Sequence, residues 1–197
     1  EPSGDTVLLL VSHQSSRLLP TIKSRCVQQA CPLPGEAMSL QWLAQALPEC
    51  SEEERIELLT LAAGSPLAAV SLQSQGVREQ RAQVVEGVKK LLKQQQSPTQ
   101  LAEEWKSIPM LRLFDWFCDW SSLILRYQLT QDEAGLGLTD MRKVVQYLAQ
   151  KSAQGKVLDI QDWILAQRQK VLSKANLNPA LLLEALLVQW AGLPGQR

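Results

Sequence analysis

A mainly α-helical fold with one strand-like stretch near the start is what this sequence predicts, on three observations. From Glu36 onward apolar residues recur with helical spacing rather than strict alternation. Helix start signals recur along the same region, at Ser51 with Glu54 three residues later, at Ser65-Pro66, at Ser97-Pro98 and at Asn178-Pro179. Only Thr6 to Val11, TVLLLV, is continuously apolar with β-branched ends.

Composition narrows the function classes. The 197 residues carry 20 Lys plus Arg against 20 Asp plus Glu, so no global field holds DNA or an anionic membrane. No run of about 18 apolar residues exists and the N-terminus lacks a signal-peptide layout, so the expectation is a cytoplasmic protein with no membrane contact. Cys26, Cys31, Cys50 and Cys118 are too scattered for a disulfide framework. Cys26 and Cys31 could form half of a zinc site, but no second pair follows, so the expected metal is none.

Taken in order, Thr6 to Val11 reads as a central parallel strand covered on both faces. The rest of the sequence supplies no second strand, so its sheet is expected from chain that precedes residue 1. The polar end of such a strand faces the ligand crevice in open α/β sheets, which makes Ser12 a site candidate. His13 reads as a solvated loop residue. Ser15-Ser16 caps a short helix over Arg17, Leu18 and Leu19 that Pro20 limits or restarts. Val27 to Ala30 reads as a short extended piece, and Pro32, Pro34 and Gly35 mark a domain boundary.

Three short helices follow. Met38, Leu40, Trp42, Leu43, Ala46 and Leu47 form the apolar stripe of the first, which Pro48 ends. The capping box at Ser51 opens the second, to Ala63, with Gly64 as its left-handed cap. Ser65 and Pro66 start the third, carrying Leu67 to Leu72. Gly76 is the next break. Val77 to Gln96 reads as a long amphipathic helix with Val84, Val85, Val88, Leu91 and Leu92 inward; Lys89, Lys90 and Lys93 suit the dipole at its end. Another helix runs from Ser97-Pro98 through Leu101 and Trp105.

The segment after Pro109 is apolar on nearly all sides and is expected at the centre of a bundle. Trp116 and Trp120 lie four apart on one of its faces, as a binding patch or as packing. Thr130 to Gly137 reads as a loop. Leu138 to Lys151 and Val157 to Ala175 read as helices separated around Gly155, and Ala180 to Ala191 as a final helix so apolar that it needs cover from other helices or another subunit.

For chemistry the residues offer little. No phosphate-binding glycine loop, metal-ligand cluster or nucleophile with base and acid is present at a recognisable spacing. What remains is Arg25, held between Ser24 and Cys26 shortly after the strand. A guanidinium there can reach a phosphate on an adjacent molecule, for which its planar fork is suited; the bland reading pairs it with a local carboxylate.

LLLVSHQSSRLLPTIKSRC, AAGSPLAAV and NLNPALLLEALL, taken together and in this order, closely resemble the delta-prime family of bacterial DNA polymerase III clamp-loader subunits. The resemblance spans the chain; its Ser-Arg-Cys motif is specific and the other two inform by position. It implies that residues 1–34 are the end of an AAA+ α/β domain, 35–76 a helical lid and 77–197 a helical collar that joins five subunits in a ring. It places Ser12 on the sensor-1 position, Arg25 on an arginine finger acting in trans with Ser24 and Cys26 in support, and Gly64, Ser65 and Pro66 at the start of the sensor-2 helix. ATP-binding members carry an Arg after that Gly-Ser pair. Leu67 stands in that neighbourhood here, and the next Arg is Arg78.

The resemblance therefore implies a stator that hydrolyses no ATP itself, needs no cofactor beyond the ATP of a neighbouring gamma/tau-type subunit, and meets gamma/tau-type and delta-type subunits through the collar and the Arg25 face. Sliding clamp and primed DNA would be met through the complex. No activity is expected of this chain alone. Two alternatives stand beside this reading: the C-terminal part of an ATP-hydrolysing gamma/tau-type subunit, and a helical adaptor unrelated to replication. The first conflicts with the missing sensor-2 Arg, and the second leaves the strand and Ser-Arg-Cys unexplained.

Overall fold

Helix start and stop signals set the order of elements in the computed structural model, which describes residues 4–12, 15–136, 138–173 and 175–195. The chain divides into two units, residues 1–34 and 35–197. In the first, Ser15–Arg17 makes a 3-10 turn and Pro20–Lys23 the short helix α1, with Pro20 in its first turn. Proline suits that place because its missing N–H would have no partner there.

Residues 6–12 form no strand, and Val7, Leu9 and Val11 are over four-fifths exposed. This corrects the expectation of a strand at Thr6 to Val11. A strand exists only with a partner for its backbone groups, and among the described residues no partner strand is present. The extended piece expected at Val27 to Ala30 is likewise exposed and irregular.

The second unit is helical and holds two apolar cores. Helices α2 (Glu36–Ala46), α3 (Glu52–Leu61) and α4 (Pro66–Ser74) enclose Leu43, Leu47, Cys50, Leu58, Leu59 and Ala69. The Ser51 hydroxyl accepts from the Glu54 N–H while the Glu54 carboxylate accepts from the Ser51 N–H, closing the expected capping box. In α2 the inward positions are Ser39, Leu43 and Leu47, whereas Met38 and Trp42 face out at 66% and 40% exposure. The stripe expected there is thus one position out of register on its first turns, because Ser39, not Met38, lies one turn before Leu43.

Helices α5 (Val77–Leu92), α6 (Pro98–Glu104), α7 (Met110–Thr130), α8 (Arg142–Lys151), α9 (Gln154–Leu172) and α10 (Pro179–Ala191) surround the larger core. α7 packs chiefly on α8 and α9, and α10 on α6. Phe117 of α7 sits edge-on to Trp190 at 4.8 Å and to Trp120 at 5.1 Å, both arrangements that oppose ring edge to ring face. Trp120, at 1% exposure, is packing rather than a surface patch.

Boundaries shift for local reasons. α5 ends at Leu92, short of Gln96, because Gln94 turns left-handed at φ 58° and the Gln95 N–H closes on the Lys90 carbonyl at 2.9 Å. α8 begins at Arg142 instead of Leu138: the Asp140 carboxylate accepts from the Met141 N–H and from Arg81, which holds the preceding residues as turns. α9 starts at Gln154 and takes Gly155 into its first turn, so the break lies at Ser152 and Ala153. Gly137, in the expected loop, lies outside the described residues.

The crossing of α5 and α6 depends on Gly87. A Cβ there would stand 2.4 Å from Trp105 Cζ2 and 2.8 Å from Leu101 Cδ2, both side chains fully buried. Gly87→Ala should therefore destabilise the protein by about 1–3 kcal/mol through overpacking, although alanine favours an isolated helix over glycine by ~1 kcal/mol. Urea unfolding of the two proteins checks this, read at equal slope.

Candidate functional site

Arg25 stands one residue past the C-cap of α1. The Ser24 N–H closes on the Pro20 and Ile22 carbonyls and its hydroxyl donates to the Thr21 carbonyl at 3.2 Å, so the turn that carries Arg25 is held on both sides of Ser24. The Arg25 N–H itself donates to the Ile22 carbonyl at 3.2 Å. Its side chain is exposed, and among the described residues no carboxylate pairs with it. Cys26 and Cys31 are exposed free thiols. Ser12 lies in the exposed irregular stretch, and His13 lies outside the described residues.

Ser24, Arg25 and Cys26 thus share one exposed turn of the first unit, whereas the Gly64 to Leu67 segment belongs to the second. There Ala63 and Gly64 both turn left-handed, at φ 50° and 82°, and the Gly64 N–H donates to the Leu59 carbonyl at 2.9 Å. The cap of α3 therefore begins one residue before the Gly64 expected from the sequence. The Ser65 hydroxyl accepts from the Ala68 N–H, and Pro66 opens α4. Leu67, in the first turn, is 72% exposed. The free N–H end of α4 offers positive potential, but its accompanying side chain is apolar and donates nothing.

The next arginine in the chain is engaged elsewhere. Arg78, in the first turn of α5, donates through Nη1 to Glu54 Oε1 at 2.8 Å and through Nε to Glu57 Oε2 at 2.9 Å. Glu54 and Glu57 are one turn apart on α3, so one guanidinium ties the start of α5 to the face of α3. Glu54 also completes the capping box, and its carboxyl is held below the usual carboxylate range first by the Ser51 N–H and then by Arg78.

Sequence reasoning passed over a second buried arginine. Arg81, 6% exposed, donates to both oxygens of Asp140 at 2.7 and 3.2 Å and lies 5.8 and 5.4 Å from the ring centres of Trp116 and Trp120. The signal was present: Arg81 occupies an inward position of the stripe Val77, Val84, Val85, Val88, and an arginine there requires a buried partner. Arg81, Trp116 and Trp120 border a cleft of about 530 Å3 between α3, α5 and α7. The other arginine at its edge, Arg112, donates to Gln80 at 2.7 Å and to Gln75. Both cations of the cleft thus have protein partners.

The sign of the pH effect at Glu54 follows from its lowered pKa. The stabilisation is complete above the ordinary glutamate value of about 4.3 and is lost as pH falls through the lower folded-state value. Glu54→Gln should therefore lower the melting temperature at pH 7, and the gap from the unmutated protein should close as pH drops below about 4. Melting curves from pH 3 to 7 measure it.

Residues 75–192 match the family model described as DNA polymerase III, delta subunit, C terminal. The chain is 74% identical to DNA polymerase III subunit delta' of Pseudomonas aeruginosa over 195 residues, covering 99% of this chain and 60% of that protein. It is 29% identical over 197 residues to subunit delta' of Yersinia pestis, covering 96% of this chain and 56% of the relative. It is 35% identical over 72 residues to subunit delta' of Escherichia coli, covering 36% of this chain and 21% of the relative. The chain thus spans less than two thirds of the length of these relatives. With residues 75–192 matched to the family model and near-complete coverage of the chain by a delta' relative, this protein belongs to the DNA polymerase III delta-type C-terminal family, on the delta' side of it.

Proposed function

We propose that this chain is part of a stator subunit of the DNA polymerase III clamp loader. In this reading residues 77–197 act as the collar that joins it to gamma/tau-type and delta-type neighbours in a five-membered ring, with 35–76 as the lid. Arg25 reaches out of its own subunit to the ATP of a gamma/tau-type neighbour. The ring loads the sliding clamp onto primed DNA in the cytoplasm.

The observation that carries the reading is the state of the two arginines. The α4 start, where the resemblance places a phosphate-touching Arg in ATP-binding members, presents exposed Leu67, and Arg78 is spent on Glu54 and Glu57. A leucine cannot stabilise charge on a phosphoryl group, and a guanidinium held by two carboxylates is neutralised before any phosphate arrives. Arg25, by contrast, is exposed on a held turn with no carboxylate partner among the described residues. Such a cation stabilises the charge that develops on the transferring group without covalent chemistry, an effect worth roughly 10³ to 10⁵ in rate at the site it serves.

The test uses the full-length protein in a reconstituted five-subunit complex. Arg25→Ala should leave assembly intact, abolish turnover at the one ATP site it faces, and lower steady-state ATPase and clamp loading. Arg25→Lys should not restore them, because an ammonium lacks the planar fork. Unchanged ATPase in the assembled Arg25→Ala complex contradicts the reading.

A further inference from the structure

Helix α9 is apolar on two sides. Val157, Ile160 and Ile164 are buried in the larger core, while Leu158, Leu165 and Leu172 are each 46% exposed. These three leucines recur every seven residues, with exposed Asp162 and Gln169 between them on the same outward face. At 3.6 residues per turn a seven-residue repeat drifts by only about 20° per step, so the leucines form one nearly straight stripe about 21 Å long. A stripe of that geometry is met by another helix crossing at a shallow angle, side chain against side chain. An edge strand, with side chains repeating every two residues, does not match it.

The charges beside the stripe say what that helix carries. Asp159 and Asp162 are exposed toward its N-terminal half, and no ion pair forms with either among the described residues. The basic side chain nearest in sequence beyond them, Arg168, already donates to Asp115 of α7 at 2.6 Å. Covering the leucines without offering a cation would desolvate the Asp162 carboxylate uncompensated, which is strongly unfavourable. A helix bringing Lys or Arg opposite Asp159 and Asp162 removes that cost.

We propose that the outward face of α9, centred on Leu165, is the collar surface that receives one helix of a neighbouring polymerase III subunit, a helix with apolar residues at seven-residue spacing and a basic residue opposite Asp162. This rests on the clamp-loader reading above and assigns the face through which the ring closes on this subunit.

Full-length protein, mixed with gamma/tau-type and delta-type subunits of the same organism, is followed by sedimentation and by the concentration needed for half incorporation. Leu165→Glu should melt as the unmutated protein does and require at least about tenfold more protein for incorporation, as loss of a central anchor does. Asp162→Lys should weaken incorporation less, and its deficit should shrink between low and high salt as the charges are screened. Gln169→Trp, a bulky change at an exposed polar place on the same face, should give the same loss and serves if Leu165→Glu proves unstable. If the unmutated protein assembles and Leu165→Glu and Gln169→Trp assemble equally well, α9 is not the face, and the clamp-loader reading stands. If the unmutated protein joins none of these subunits, that reading falls and this inference with it.

Discussion

The double ion pair of Arg78 with Glu54 and Glu57 joins the two helical groups of residues 35–197. It stands at the point where the chain leaves α4, turns through left-handed Gly76 at φ 62° and begins α5. Partly exposed ion pairs contribute about 1 kcal/mol or less each, so the clasp acts through geometry more than through strength. Two carboxylates one turn apart on α3 fix the direction in which α5 departs. Leu72 adds to this by packing against both cores. The capping box shares Glu54 with the clasp, so the start of α3 and the start of α5 are set by one side chain.

Beyond that joint the fold is governed by the need to cover α7. Leu113, Phe114, Phe117, Trp120 and Ile124 are each at most 1% exposed, and α8, α9 and the aromatic contact with α10 supply the cover. Such a helix has little preference for one face and is stable only when surrounded. Covering it leaves the covering helices with second faces of their own. In α9 that second face carries leucines at regular spacing, an arrangement that a chain working alone would pay for in solubility.

Helix existence was legible wherever a start signal was present, because Ser51 with Glu54, Ser65-Pro66, Ser97-Pro98 and Asn178-Pro179 act locally and need no distant partner. Asn178 accepts from the Ala180 and Leu181 N–H groups as its position implied. What could not be read is what depends on distant residues. The α8 start is displaced by a contact between Asp140 and Arg81, fifty-nine positions apart. The apolar run at residues 6–11 has strand composition, yet strand is a property of a pair of segments, and no described segment pairs with it. Of the candidate site, the residue types were plain in the sequence and their engagement was not: nothing in the order of residues separates exposed Arg25 from Arg78, which is committed to α3.

That difference between two arginines is the centre of the account. One serves the fold of its own chain; the other, in the function proposed, serves chemistry in a neighbour. The most direct measurement is calorimetric titration of MgATP into the full-length protein and its Arg78→Met variant, with the melting temperature of each recorded. The account predicts that Arg78→Met lowers the melting temperature and leaves the titration unchanged. A drop of tenfold or more in nucleotide affinity in that variant would contradict it, because Arg78 would then be acting on a phosphate.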